Sequence, residues 1–378
     1  MMQTGSVATR QASPPPPCEV QTPSWTPFQL SPTPATPPTP PPTPVTPVIP
    51  TPTPTPATPT TPEANDADSA WGDGVSSASM TSSILDFKKE YGRLFEPSGR
   101  YKYPVDDLEK ERLEFIHEAI TRALGCRLSA APIEPDGRGS FSVLDIGTGT
   151  GTWATEFGDK HENVVVEGWD ISPIQPVWVP PNVEFLIQNV EDIEEDWDKK
   201  FDFIHVRCMA GSIEDWPRLM RRIFRNLAPG GWVEFQEIAN TLYSDDDTID
   251  DNNALVKLFC WLGGAHEEIG FPLNVAPHLE ERAIKAGFCS VGGEEFKLPI
   301  GTWPRDEHLK DIGLLVWASL REGLDGLTIK PFREVLGWSE SEVEVLKAYV
   351  RNTLCRKSVH TYLKLFVVTG QKPIEATG

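Results

Sequence analysis

Basic residues are scarce: 34 Lys and Arg stand against 55 Asp and Glu in 378 residues, a net charge of −21. A surface of that sign repels phosphate backbones and anionic lipid head groups, which argues against nucleic acid or a membrane as partner. No apolar run reaches the roughly 18 residues that a bilayer span requires, and Met1 to Ser6 carries no basic region ahead of an apolar core. The expected setting is soluble and intracellular. The six cysteines, Cys18, Cys126, Cys208, Cys260, Cys289 and Cys355, lie tens of residues apart with no Cys-x-x-Cys and no histidine at zinc-ligand spacing. Neither a disulfide framework nor a metal site is expected, and the thiols read as small core residues.

Proline is concentrated instead of scarce, with 21 of 37 falling between Pro14 and Pro62. Repeats such as Thr51-Pro52-Thr53-Pro54 fix φ and bias the preceding residue toward extended backbone, giving polyproline II segments. From Glu63 to Ser83 the chain is rich in Ala, Asp, Gly and Ser, too poor in apolar surface to offset the entropy of ordering. Residues 1–80 therefore read as a disordered Thr/Pro-rich arm, either a solvated spacer or a carrier of Ser/Thr-Pro phosphorylation and proline-reading sites. Residues 81–373 are left as one domain, long enough to bury a large core.

Leu113, Ile116, Ile120 and Leu124 recur at intervals of three and four, with Glu109, Lys110, Glu111 and Glu118 mostly opposite, so Asp107 to Leu124 is an amphipathic helix. From Ser142 the pattern changes to short apolar runs separated by helical stretches: Val143 to Ile146, Val164 to Trp169, Val183 to Ile187, Phe201 to Val206 and Trp232 to Phe235. Such runs describe parallel strands covered on both faces, a doubly wound α/β sandwich of Rossmann-like type. Further helices are expected over Ala254 to Ile269, Ala276 to Ala286, Lys310 to Arg321 and Ser339 to Thr353. Late strands near Ser290 to Leu298 and Tyr362 to Thr369 complete the sheet.

Directly after the first core strand stands Asp145-Ile-Gly147-Thr-Gly149-Thr-Gly151-Thr152, leading into a helix. Glycines suit a sharp turn whose backbone approaches a ligand closely. Dinucleotide loops prefer Gly-x-Gly-x-x-Gly, and here the last glycine comes one residue early. An acid followed by three singly spaced glycines suits a nucleoside with a charged amino-acid end and no pyrophosphate, which is S-adenosylmethionine. Asp145 is expected to attract the ammonium end, directly or through water, and loop amides to meet the polar edge. Asp170, closing the second strand, is the expected acceptor for ribose hydroxyls. Pro229-Gly230-Gly231 reads as a turn before the fifth strand.

Tyr91-Gly92-Arg93, Tyr103-Pro104-Val105-Asp106 with Glu111-Arg112-Leu113, the glycine loop, Ser172 to Asn182, Phe201 to Arg207, Gly211 to Trp216 and Pro229-Gly-Gly-Trp232 occur in that order. Together they resemble the fungal class I methyltransferases similar to LaeA, over Leu85 to Pro373. The resemblance implies a seven-stranded methyltransferase sheet preceded by N-terminal helices, with S-adenosylmethionine as cofactor. It also implies one of two settings: a tailoring enzyme methylating a small metabolite, or a nuclear regulator of secondary metabolism or development with a velvet-type protein partner. The compartment is accordingly cytoplasmic or nuclear. Two departures stand out. Asn189 occupies the position after the third strand where many class I enzymes place an acid on the adenine amino group, and its amide oxygen can still accept that bond. Thr152 stands where the family usually has Ile.

Methyl transfer from a sulfonium is an in-line displacement that requires alignment and exclusion of water more than a protein nucleophile. Candidates for the chemistry are few. Arg207, just beyond the fourth strand, is placed to orient an acidic group or to make a structural ion pair. His266 is either a general base for a phenol or carboxylic acid or a surface histidine. His205, inside an apolar run, reads as a core histidine, and Asp215-Trp216-Pro217 as a capped helix start. Phe259, Trp261, Phe271, Trp303, Trp317, Phe332 and Trp338 either roof a pocket for a flat acceptor or pack the core.

Overall fold

The computed structural model describes residues 86–135, 140–193 and 195–374. The arm assigned to residues 1–80 lies outside them. The described chain opens on a hairpin that sequence reasoning missed, β1 (Lys88–Glu90) and β2 (Arg93–Phe95), whose turn residues Tyr91 and Gly92 both take positive φ. Helix α1 (Asp107–Ala123) starts at Asp106, whose side chain accepts from the amide of Glu109 and from Arg93 at 2.6 Å. Then β3 (Phe141–Ile146), α2 (Thr152–Lys160), β4 (Val164–Asp170), β5 (Val183–Ile187) and β6 (Phe201–Arg207) follow. The second half runs through α3 (Trp216–Asn226), β7 (Leu227–Ile238), α4 (Ala254–Glu268), α5 (Leu279–Ala286), β8 (Cys289–Pro299), α6 (Glu307–Lys330), α7 (Glu340–Leu354) and β9 (Tyr362–Gln371).

Seven strands make one sheet in the order β5-β4-β3-β6-β7-β9-β8. The first five in that order are parallel, and β9 runs antiparallel to both β7 and β8. Val143, Leu144, Val166, Phe203, Ile204 and Val233 are fully buried, as strands covered on both faces must be. Ile120, Leu124, Ile312, Val316 and Leu365 join α1 and α6 to the β8–β9 end. Trp216, Ile223, Leu279 and Phe235 pack α3 and α5 beside the centre. Strand order reverses between β3 and β6, so the crevice at their carboxyl ends is where such a sheet binds a ligand.

Several expectations are corrected. Helix α6 continues nine residues past Arg321, through Gly323 and Gly326, which resemble helix breakers in the sequence. A Cβ on Gly323 would stand 2.1 Å from Arg112 Cδ, and one on Gly326 3.0 Å from Pro104 Cδ, so these glycines admit close packing. Glu109, assigned to the polar face, is buried and ion-paired to Arg112 at 2.6 Å. Pro229-Gly230-Gly231 forms a bulge inside β7, with Gly230 at φ 82° donating its amide to Lys372. Cys126, Cys208, Cys260, Cys289 and Cys355 are exposed, not core residues; Cys289 opens β8, and Cys126 and Cys208 sit in left-handed turns. Asp215 caps α3 as expected, accepting from Arg218 at 2.9 Å.

Candidate active site

A cleft of about 1180 Å³, open mouth included, lies at the carboxyl ends of β3, β4 and β6. One wall is the glycine loop with the residues after β4 and β5; the other is chain from Arg100 to His117. Gly147, Gly149 and Gly151 all have positive φ, but they serve different ends. A Cβ on Gly147 would meet Met209 Sδ at 2.0 Å, and one on Gly151 would meet Phe185 at 2.4 Å. These two glycines let protein close on protein. At Gly149 the nearest atom would be 3.9 Å away, on Leu113, so any side chain there would project into open cleft.

Asp145 does not line the cleft. It is buried behind the loop, where its carboxylate accepts from Thr148 Oγ1 at 2.7 Å and from His205 Nδ1 at 2.8 Å. The expected direct attraction for a ligand's ammonium is therefore corrected, since the carboxylate is buried beneath the loop and turned toward Thr148 and His205 instead of the cleft. His205 is a core histidine, fully buried with its ring stacked 3.8 Å from that of Trp153. Thr152 bonds to Glu114 on α1 at 2.7 Å, a tie that Ile would not make.

Asp170 lines the cleft and organises it. Its carboxylate accepts from the amides of Gly149 at 2.8 Å and Ser172 at 2.9 Å. Removal from water pushes its pKa up to about 6 against the opposing pull of those amides. Asn189 also lines the cleft, its oxygen accepting from the Glu191 amide and its nitrogen donating to Asp192. Arg100 pairs with the same Asp192 at 3.1 Å across the mouth.

Arg207 lines the cleft and donates to His117 Nδ1 at 2.8 Å. Burial, with the neighbouring Arg207 charge, lowers the pKa of His117 to about 3. The ring is then neutral: Nδ1 accepts, and Nε2–H donates to Glu156 at 3.1 Å. His117 escaped the sequence reading, although a polar residue four after Leu113 on an apolar helical stripe was a usable signal. Glu237 escaped it as well. Buried at the end of β7, it accepts from the amides of Met209 and Ala210, and burial pushes its pKa up to about 8. It holds the turn after β6, in which Cys208 adopts φ 53°, a conformation disfavoured for any residue but glycine.

His266 is neither exposed nor on the cleft wall. Its Nε2 accepts from Tyr103 Oη at 2.9 Å and its Nδ1 donates to the Phe271 carbonyl at 3.2 Å, while burial lowers its pKa to about 4. With both nitrogens engaged it anchors the Tyr103 segment and is no longer a candidate base. The late aromatics do not roof the cleft either. Trp261, Phe332 and Trp338 pack edge to face on one another, while Trp303 and Trp317 donate to the carbonyls of Thr361 and Leu354. Tyr101, Pro104, Val105, Leu113 and Ile116 supply the apolar wall instead.

A family profile described as "Methyltransferase domain" matches residues 108–290. Methyltransferase pytC of Aspergillus terreus is 42% identical over 303 residues, covering 79% of this chain and 92% of that protein. Secondary metabolism regulator LAE1 of Cochliobolus heterostrophus is 34% identical over 280 residues, covering 73% and 91%. Protein-methionine methyltransferase laeA of Emericella nidulans is 33% identical over 298 residues, covering 76% and 77%. The chain belongs to this fungal LaeA-like methyltransferase family. The methyltransferase uses S-adenosylmethionine as its methyl donor, and its cleft fits that molecule: free space above Gly149 and a strand-end carboxylate at Asp170. None of its described helices is long and apolar enough to cross a membrane.

Proposed function

We propose that the enzyme methylates a small organic molecule held between the glycine loop and the wall from Arg100 to His117. The donor's adenosine lies along the strand side, with Asp170 accepting from the ribose hydroxyls, Asn189 facing the base, and Gly149 giving the backbone its close approach while Gly147 and Gly151 hold the shape of the loop. Bound there, the donor supplies an electrophilic methyl on sulfur. The chain's own contribution is alignment and the exclusion of water. Asp145 acts from behind, by holding Thr148 and with it the loop.

The observation that carries this reading is the composition of the facing wall. Tyr101, Pro104, Val105, Leu113 and Ile116 line that wall in a protein of net charge −21, and an apolar wall facing the donor side suits an organic acceptor. The identity to a protein named simply a methyltransferase, 42%, also exceeds the 33–34% to the LAE1 and laeA proteins. Radiolabelled donor supplied with fungal extract tests it: label is expected in the low-mass fraction, and label confined to protein overturns the small-molecule acceptor.

The names of the LAE1 and laeA relatives, a secondary metabolism regulator and a protein-methionine methyltransferase, favour a second reading, a regulatory methyltransferase, to which the family resemblance adds a nuclear protein complex. In that reading a velvet-type protein co-precipitates with the full chain and the label appears on protein. In the first, no partner is required and the enzyme works in the cytoplasm.

A further inference from the structure

The charged groups on the cleft are distributed unevenly. Asp170 and Glu191 stand at the β4–β5 end, and Arg100 is already paired with Asp192 there. Arg207 stands at the other end, beyond β6. Among the described residues its hydrogen-bond partner is a neutral imidazole, His117, and no carboxylate lies within ion-pair distance of it. A half-buried guanidinium kept in place by a neutral acceptor retains its whole charge and several unused N–H donors. That is a site prepared for an anion, and the planar fork of arginine matches a carboxylate best.

Strand register says which carboxylate. Ile146 pairs with Val206, so Gly147 and Arg207 leave adjacent strands side by side. With ribose at Asp170, the amino-acid end of the donor, joined through sulfur to the ribose, runs across the glycine loop toward β6. The acceptor has to approach from the apolar wall opposite. We infer that Arg207, aligned by His117, binds the carboxylate of the methyl donor's amino-acid end. Glu156 completes the arrangement by accepting from His117 Nε2 at 3.1 Å, which fixes the ring with Nδ1 toward the guanidinium. Arg207 is thus a donor-binding residue, and His117 is a positioning residue that acts through it.

This inference rests on the methyl-donor reading of the cleft, and the test separates the two. Full-length protein is titrated calorimetrically with S-adenosylhomocysteine and with 5′-methylthioadenosine, which keeps adenosine and sulfur but has no amino-acid end. Wild-type protein that binds neither ligand refutes the donor reading itself. Given wild-type binding, Arg207→Gln is expected to weaken S-adenosylhomocysteine about tenfold or more, the range of a charge-assisted pair, and methylthioadenosine less than about twofold. Equal weakening of both ligands, or of neither, overturns the inference. An unchanged S-adenosylhomocysteine affinity with a raised KM for an acidic acceptor would also overturn it, assigning Arg207 to the acceptor's carboxylate.

Intact methylthioadenosine binding shows at the same time that the variant has folded. Should Arg207→Gln not fold, Arg207→Lys, which keeps the charge but loses the fork, is expected to weaken S-adenosylhomocysteine selectively by a smaller factor. His117→Phe is expected to reproduce the selective loss, and His117→Asn, whose amide oxygen still accepts from the guanidinium, to restore most of it. If His117→Phe leaves the ratio of the two affinities at the wild-type value, the positioning role is wrong.

Discussion

The strand side of the cleft is shaped by backbone: three glycines at positive φ and a strand-end acid that receives the Gly149 amide, all between residues 145 and 172. On the opposite side, residues 100–117 present side chains, and these are held by distant partners such as His266, Glu156 and Arg207. The first wall is set by the geometry of parallel strands and tolerates little change. The second can be redrawn by substitution without touching the sheet. A fold that keeps one donor and serves many acceptors needs this division, because function resides in sites carried on the fold and not in the fold itself.

The two walls also differ in how they respond to protons. His117 and His266 have lowered pKa values, about 3 and about 4. In each case the unfolded chain binds the proton more tightly, so their contribution to stability is present above pH 6.5 and lost as pH falls toward 4. Asp170 and Glu237 have raised values, about 6 and about 8. Their neutral forms suit the fold, so the stability they allow is present below the unfolded pKa and lost as pH rises through those values.

The largest expected effect lies in the glycine loop. Gly151→Val combines a left-handed backbone with a Cβ 2.4 Å from Phe185 and should cost about 3 kcal/mol or more, read as a lower urea midpoint. A loss under about 1 kcal/mol would show that the strand wall is less rigid than stated. Next comes Tyr103→Phe, which strands buried His266 Nε2 and should cost about 1–3 kcal/mol; a neutral outcome would mean that the second wall is not anchored there. Smaller at neutral pH is Glu237→Gln, whose one amide oxygen keeps the shorter bond, from the Met209 amide, and gives up the longer one from Ala210. Its stability should stay level between pH 6 and 9 while the wild type declines, and parallel curves would contradict a buried neutral carboxyl. Smallest is removal of residues 1–80, expected to change S-adenosylhomocysteine affinity by less than about twofold because their Thr/Pro-rich sequence has too little apolar surface to offset the entropy of ordering. A tenfold loss, about 1.4 kcal/mol, would place the arm against the cleft.

The contrast between the walls also explains what could be read in advance. The sheet was legible because parallel strands buried on both faces are unbroken apolar runs, and the donor side because Asp145 to Gly151 is contiguous. The second wall joins Tyr103 to His266 and His117 to Arg207 across 163 and 90 residues, and no local pattern encodes such pairs. The turns of α6 beyond Arg321 were missed for a related reason: the tight contacts of Gly323 and Gly326 are made far along the chain, with Arg112 on α1 and with Pro104 just before it. Asp145 misled differently, since its residue type was read correctly while the direction of its carboxylate was decided by His205 and Thr148.

The most direct test of the account is a pair of readings on one variant, Gly149→Val, in which the added side chain enters open cleft and meets no protein atom closer than about van der Waals contact. The account expects S-adenosylhomocysteine binding to vanish from the calorimeter while the urea midpoint falls by no more than the about 1–2 kcal/mol that a left-handed backbone costs. Binding that persists at wild-type affinity would contradict the assignment of the glycine loop to the methyl donor.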